Sequence, residues 1–296
     1  MRPSRISGVE CTEARDRDMA NAAEIPYCGA PPVPDALWRS WNLDPVLIAA
    51  LLAIAGAYGL GLSRLRAAER PEPWRRLSFY AGWSLLALAL VSPLCSLSVA
   101  LFAARVGQHM LLTLVAAPLI VLGRPVFVLA ELFPACSDAM MRAASARPFG
   151  RTSLCFALFT GLLWLWHVPG PYAVTFESAV AYWTMHVTLI GSALMLWRVL
   201  LDASPAGALK GLACSFASTM QMSLLGALLT FSSRPIYAPH LASTRPWNLT
   251  PLEDQQLGGL IMWVPGCTLL LAAGVLCAGV WLARFETARP VRARAA

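Results

Sequence analysis

Seven stretches of this chain are almost free of charge, near 45–62, 77–94, 99–122, 152–168, 179–201, 209–231 and 257–283. A membrane span needs ~20 mostly apolar residues, because the hydrocarbon core is ~30 Å thick and a helix rises ~1.5 Å per residue. Lipid cannot satisfy backbone N–H and C=O groups, so a spanning segment is a helix or part of a closed barrel. Barrel strands would be shorter and would alternate. Only 13% of the chain is charged and 57% is hydrophobic, against about a quarter charged in soluble domains. The expected fold is therefore an all-α integral membrane protein with seven transmembrane helices over 45–285.

Charge gives that bundle a direction. Arg64, Arg66, Arg70, Arg75 and Arg76 lie between the first two spans, and Arg124, Arg142, Arg147 and Arg151 between the third and fourth. Arg198 and Lys210 border the turn between spans five and six, and Arg284, Arg289, Arg292 and Arg294 follow the last span. The turns between spans two and three and between four and five carry no Lys or Arg. Positive residues stay in the cytoplasm, which puts the N-terminus outside and the C-terminus inside. The net charge of +7 is then mostly a topology signal. Arginines divided among short loops beside membrane ends argue against nucleic-acid binding.

Residues 1–44 form a polar tail expected on the periplasmic side. No apolar signal-peptide core stands behind a basic start, so the first span is expected to serve as its own anchor. Residues 1–18 are expected to be structureless, with Met1 and Met19 as alternative starts. Residues 29–45 look like an ordered lead-in anchored by Trp38 and Trp41. Residues 125–150 are too mixed to span and suggest a cytoplasmic interfacial helix, and 286–296 are a basic cytoplasmic tail. The eight cysteines contain no C-x-x-C pair, so a zinc knuckle or thiol-redox motif is unsupported. Most suit apolar packing. Cys28 and Cys95 both fall outside, where a disulfide between them or metal binding by Cys28 stays open.

The polar residues at membrane depth are the remaining signal. There are four histidines. His109 lies near mid-depth of span three, His167 ends span four at the outer surface, His186 lies roughly 10 Å below the outer face in span five, and His240 is in the outer loop before span seven. All four fall in the outer half. Met110 follows His109 and Met185 precedes His186. Asp254 and Met262 share a face of the last span at i, i+8, and Gly258 and Gly259 let another helix approach. Ionisable residues inside a membrane usually face the bundle interior and mark function.

Imidazole and thioether suit copper, with Met favouring Cu(I). Two histidines on different helices also suit haem, and His with Asp suits proton transfer. Each residue alone has a plainer reading. His167 fits an interfacial side chain bonded to a carbonyl, His109 a satisfied buried histidine, and Met110, Met185, Met220 and Met222 ordinary packing.

The segments QHMLLTLVAAPLIVLGRP (108–125), LWHVPGPY (165–172), the His186 helix and above all PLEDQQLGGLIMWVPG (251–266) resemble the multi-spanning CtaG-type cytochrome c oxidase assembly family, as does WNLDPVL (41–47). The resemblance covers about 41–285. It implies a seven-helix factor of the bacterial inner membrane, needed for a haem–copper oxidase, with copper delivery as the usual proposal. Its partners would be oxidase subunits or other assembly factors. Two positions depart from the family pattern: Arg105 stands where a further histidine is common, and Met185 where a glutamate is.

The resulting expectation is a non-enzymatic assembly factor that holds copper at its outer half. His109 and His186 would be the core ligands, Met185, Met262 or Met110 soft partners, and His167 a ligand or gate at the surface. Gln108 and Asp254 would stand behind them, with Asp254 orienting a histidine or pairing with Arg105. The alternatives are a bis-histidine haem protein, a proton or ion carrier using His109, Arg105 and Asp254, and a metal-free structural helper.

Overall fold

The computed structural model describes residues 25–133, 135, 149–202 and 204–293. The expectations placed on residues 1–24, on 136–148 and on 294–296 lie outside the described residues. All regular structure among the described residues is helical: α1 (Pro45–Arg64), α2 (Pro73–Val91), α3 (Pro93–Ala100), α4 (Phe102–Leu122), α5 (Pro125–Ala130), α6 (Phe149–Leu165), α7 (Pro169–Glu177), α8 (Ala179–Leu200), α9 (Pro205–Thr230) and α10 (Pro251–Ala293). Short 3-10 turns sit at Pro34–Arg39, Ala238–His240 and Arg245–Trp247.

The local sequence explains where these helices begin. α1, α2, α3, α5, α7, α9 and α10 all open on proline, whose fixed φ suits the first helical position and whose missing N–H would have no partner there. Asp44, Ser92, Ser178 and Ser204 precede helices and accept from amides of the first turn, which satisfies donors the helix itself cannot.

Among the described residues, five helices are long and apolar enough to cross a membrane: α1, α4, α8, α9 and α10. Two bent pairs bring the number to seven if each is one span. α2 and α3 meet at 52°, and α6 and α7 at 74°. Both bends fall before a proline. Ser92 and Val168 are extended (ψ 171° and 131°), as the ring of Pro93 or Pro169 requires of the preceding residue.

α10 packs along α9 on one side and against α4 on another, α8 lies against α4, α6 and α9, and α2 lies against α4. α1 is peripheral, and Val46, Leu52, Ile54 and Leu60 face outward from it. The close approach of α9 and α10 depends on glycine. A Cβ on Gly259 would lie 2.8 Å from the Gly226 carbonyl, and one on Gly226 2.9 Å from the Gly259 carbonyl.

The bundle has two distinguishable ends. At one, Arg75 donates to the Leu122 carbonyl and Arg64 to that of Glu131. This arginine end holds the 64–76 and 122–131 connections. The lead-in 25–44, α3, α7 and the 231–250 loop meet at the other. There Cys28 is disulfide-bonded to Cys95, Ser96 donates to the Ser40 carbonyl and Trp247 to that of Pro32. Tyr27 donates to Asp44, which holds that carboxyl below its ordinary range.

Candidate functional site

The block 250–256 carries five polar residues at the head of an apolar span, and each of the five has a structural partner. Thr250 and Glu253 form a reciprocal capping box: the Thr250 amide and hydroxyl donate to the Glu253 carboxylate, and the Glu253 amide donates to the Thr250 hydroxyl. Gln255 accepts from the Ile236 amide (2.6 Å), and Gln256 donates to the Ser232 carbonyl. Asp254, fully buried, reaches across to another helix. Its two oxygens accept from the amides of Phe102 (2.7 Å) and Ala103 (3.0 Å), the first residues of α4. A carboxylate there meets donors that α4 leaves unpaired and the positive end of its dipole. Asp254 is thus a cap supplied in trans. Among the described residues it forms no ion pair with Arg105 and no hydrogen bond to an imidazole.

Below Asp254, the i+4 stripe of α10 follows α4 inward. A Cβ on Gly258 would lie 2.5 Å from the Phe102 ring, so this glycine seats that ring. One turn on, Met262 borders a cavity of about 10 Å³ lined by Val106, His109, Met110, Thr113, Phe159, Leu163, His167, Leu189 and Met262. That is about the room of one water molecule. It brings together His109, His167, Met110 and Met262, from three elements of the chain.

His186 lies beside His109, with ring centroids 5.1 Å apart, edge to face. Its Nδ1–H donates to the Tyr182 carbonyl at 2.9 Å, and the Tyr182 ring lies 4.2 Å from it. Since a carbonyl only accepts, the proton sits on Nδ1 and Nε2 holds a bare lone pair. That Nε2 and the Nε2 of His109 are both buried without a hydrogen-bond partner. His167 has the same tautomer for the same reason, donating to the Leu163 carbonyl at 2.7 Å.

α4 widens to a π turn at Leu111–Ala116, immediately after His109 and Met110. Pro118 cannot donate to the Leu114 carbonyl and its ring crowds it, so the preceding turn loosens. The backbone groups affected are met by side chains: Thr113 donates to the His109 carbonyl (2.6 Å), and the Trp197 indole to that of Thr113 (2.7 Å).

Arg105 is buried one turn before His109. Its guanidinium donates to Thr175 Oγ1 (2.5 Å) and Met185 Sδ (3.6 Å) and lies 4.3 Å from the Phe176 ring centroid and 5.0 Å from that of Tyr172. Its Nε has no partner, and no carboxylate forms an ion pair with it among the described residues. Aromatic faces take the place of a counter-ion. The sulfur of Met185 is engaged by this cation and not by the cavity. Gln108 donates to the Ala89 carbonyl (2.7 Å), tying α4 to α2, while its Oε1 is unpartnered.

His240 stands apart. The Tyr172 hydroxyl donates to its Nε2 (2.6 Å), and its Nδ1 donates to the Ala100 carbonyl (3.3 Å). Both ring nitrogens are used. Burial first, and the nearby charge of Arg105 second, push it down to about 3.

Among the described residues no three His, Cys, Asp or Glu side chains gather where they could hold a metal. What gathers is neutral imidazole and thioether, a donor set suited to a soft ion. Sequence reasoning missed Tyr182, whose ring lies 4.2 Å from that of His186 and whose hydroxyl lies 3.3 and 3.6 Å from the disulfide sulfurs. The spacing Tyr182-x-x-x-His186 was the available signal. It read Met222 as packing, but the sulfurs of Met222 and Met110 both border the space beside Gly266.

Fold and site together define a polytopic helical membrane protein with a buried histidine–methionine cluster near one end. Residues 56–284 match the family described as the cytochrome c oxidase caa3 assembly factor (Caa3_CtaG), and the chain belongs to that family. Similar curated proteins include the uncharacterized proteins Mb0105 of Mycobacterium bovis and MT0111 of Mycobacterium tuberculosis, each 27% identical over 79% of this chain and 38% of the relative. ML1998 of Mycobacterium leprae is 24% identical over 75% of this chain and 36% of its own length. The chain therefore spans well under half the length of these relatives. No solved structure matches it.

Proposed function

We propose that this protein assists assembly of a haem–copper oxidase in the bacterial inner membrane by holding copper between α4 and α8, without catalytic turnover. His109 and His186 are the core ligands, Met110 and Met262 soft partners, and His167 a gate where α6 ends. In this reading both bent pairs cross the bilayer, making seven spans. The arginine end is cytoplasmic, as the positive-inside rule favours, and the histidine end faces the periplasm, where the oxidase subunits or other assembly factors that receive copper would dock.

The observation that carries the reading is the pair of orphaned Nε2 atoms. A buried polar atom without a partner is costly, and the His186 imidazole, which donates its Nδ1–H to the Tyr182 carbonyl, is oriented as metal-binding histidines are. Copper bound there would relieve that cost. The geometry gives haem less support. Rings 5.1 Å apart beside a cavity of about 10 Å³ leave no slot for a porphyrin.

The test is metal content. Protein purified from copper-supplemented cells should carry copper and show no Soret band. The His109→Ala/His186→Ala double variant should lose the copper and fail to support oxidase assembly. Unchanged copper content and assembly in that variant would refute the metal site and favour the structural-helper reading.

A further inference from the structure

The methionine sulfurs near the cavity are not equivalent. Met185 is engaged by Arg105, and Met110 and Met262 line the cavity. Met222, fully buried on α9, does not border it, yet its sulfur points at the same place as that of Met110. A Cβ on Gly266 would lie 2.6 Å from Met222 Sδ and 3.5 Å from Met110 Sδ. Gly266 is one turn beyond Met262 on the α10 stripe. Its missing side chain is the gap that lets thioethers from α4 and α9 converge just past the histidines.

Charge narrows what such a place would accept. The donors are neutral imidazoles and thioethers, with no carboxylate among the residues lining the cavity. The guanidinium of Arg105 is a fixed positive charge one turn away and has no ion-pair partner among the described residues. Coulomb repulsion from it doubles for a divalent ion relative to a monovalent one. Thioether ligands independently favour soft Cu(I).

We propose that Met110 and Met222 form a thioether subsite at the deep end of the histidine cavity, with Met262 at its rim, and that this subsite selects cuprous over cupric or zinc ions. The inference rests on the copper reading above and assigns Met222 and Gly266 roles within it.

The experiment uses the full chain in detergent under anaerobic, reducing conditions. Cu(I) is titrated against a competing chelator, the loaded protein is examined by X-ray absorption, and Ag(I) and Zn(II) are added as competitors. The parent should show both nitrogen and sulfur around copper, with Ag(I) displacing it and Zn(II) not. Met222→Leu conserves volume and should melt like the parent, but lose sulfur scattering and weaken Cu(I) binding about tenfold or more, a scale that even outer-shell changes reach. Gly266→Ala should move the Met222 sulfur and act in the same direction. A nitrogen-only shell in the parent, with unchanged affinity in Met222→Leu, overturns the subsite and leaves copper binding by histidine standing. Displacement by Zn(II) overturns the selectivity. A parent that binds no Cu(I) overturns both readings.

Discussion

Replacing Asp254 distinguishes a structural carboxylate from a chemical one. Both of its oxygens accept buried amides at the start of α4, at 2.7 and 3.0 Å. A hydrogen bond to a charged group contributes about 1.5–3 kcal/mol, and a buried donor left unmet costs about 1–3 kcal/mol. Asp254→Ala orphans two amides at once and should cost about 2–6 kcal/mol, well above the ~1 kcal/mol of an ordinary cap removal. Asp254→Asn keeps one acceptor oxygen and turns an NH2 toward the other amide, so it should fall between Ala and the parent. Unfolding by increasing SDS in mixed micelles, followed by tryptophan fluorescence, measures the differences. Copper content should be unchanged in Asp254→Asn. An Ala variant within ~0.5 kcal/mol of the parent, the scatter of neutral surface substitutions, would refute the cap. So would a stable Asn variant stripped of copper, which would make Asp254 a ligand.

Other perturbations test other parts of the bundle. Cys28→Ser opens a link across a sequence separation of 67. Chain-entropy arguments put its contribution at about 4 kcal/mol, and residues 25–44 should become accessible to protease in the variant. His240 is held down to about 3, below the ~6.5 of a free histidine. The unfolded chain therefore binds the extra proton between those values. The stability tied to this group is complete above pH ~6.5 and is lost as pH falls toward 3, and His240→Gln should flatten that part of a stability-versus-pH curve. Gly259→Val forces α9 and α10 apart and should cost about 1–3 kcal/mol or more. Gly279→Ala, with nothing within 4 Å of the added carbon, should be near neutral in the same unfolding assay.

The long helices were legible because length and lack of charge are local properties. Their starts were more legible than the reading used. The dipeptides Asp44-Pro45, Ser92-Pro93, Ser204-Pro205 and Thr250-Pro251 each mark a helix N-terminus within a residue. The bends at Pro93 and Pro169 give pieces such as α3 and α7 that apolar length alone does not predict. The site was legible only as a list. Spacing on one helix places Asp254 and Met262 on a common face, but nothing local says that the amides of Phe102 and Ala103 lie opposite Asp254. Polarity at depth therefore suggested a carboxylate that orients a histidine or pairs with Arg105, where the structure has a cap. Arg105 itself is stabilised by the rings of Tyr172 and Phe176, brought to it by the break after α6. The Cys28–Cys95 link stayed open because pairing depends on a distance set by the lead-in's return to α3. Met222 is the extreme case, since one buried methionine looks like another until a glycine on the facing helix leaves room beside it.

Asp254, Gly258, Met262 and Gly266 make α10 a ruler. The cap, the ring seat, the cavity wall and the sulfur gap sit at successive i+4 marks on one rigid rod, about 18 Å from first to last. The depth of the cavity is thereby measured from the end of α4. An inserted or deleted residue anywhere between 254 and 266 would turn everything beyond it by about 100° and leave the cap facing α4 while the sulfur gap turned away from Met110. Substitutions in this segment can be weighed one at a time, but a change of length by a single residue severs the cap from the cavity outright.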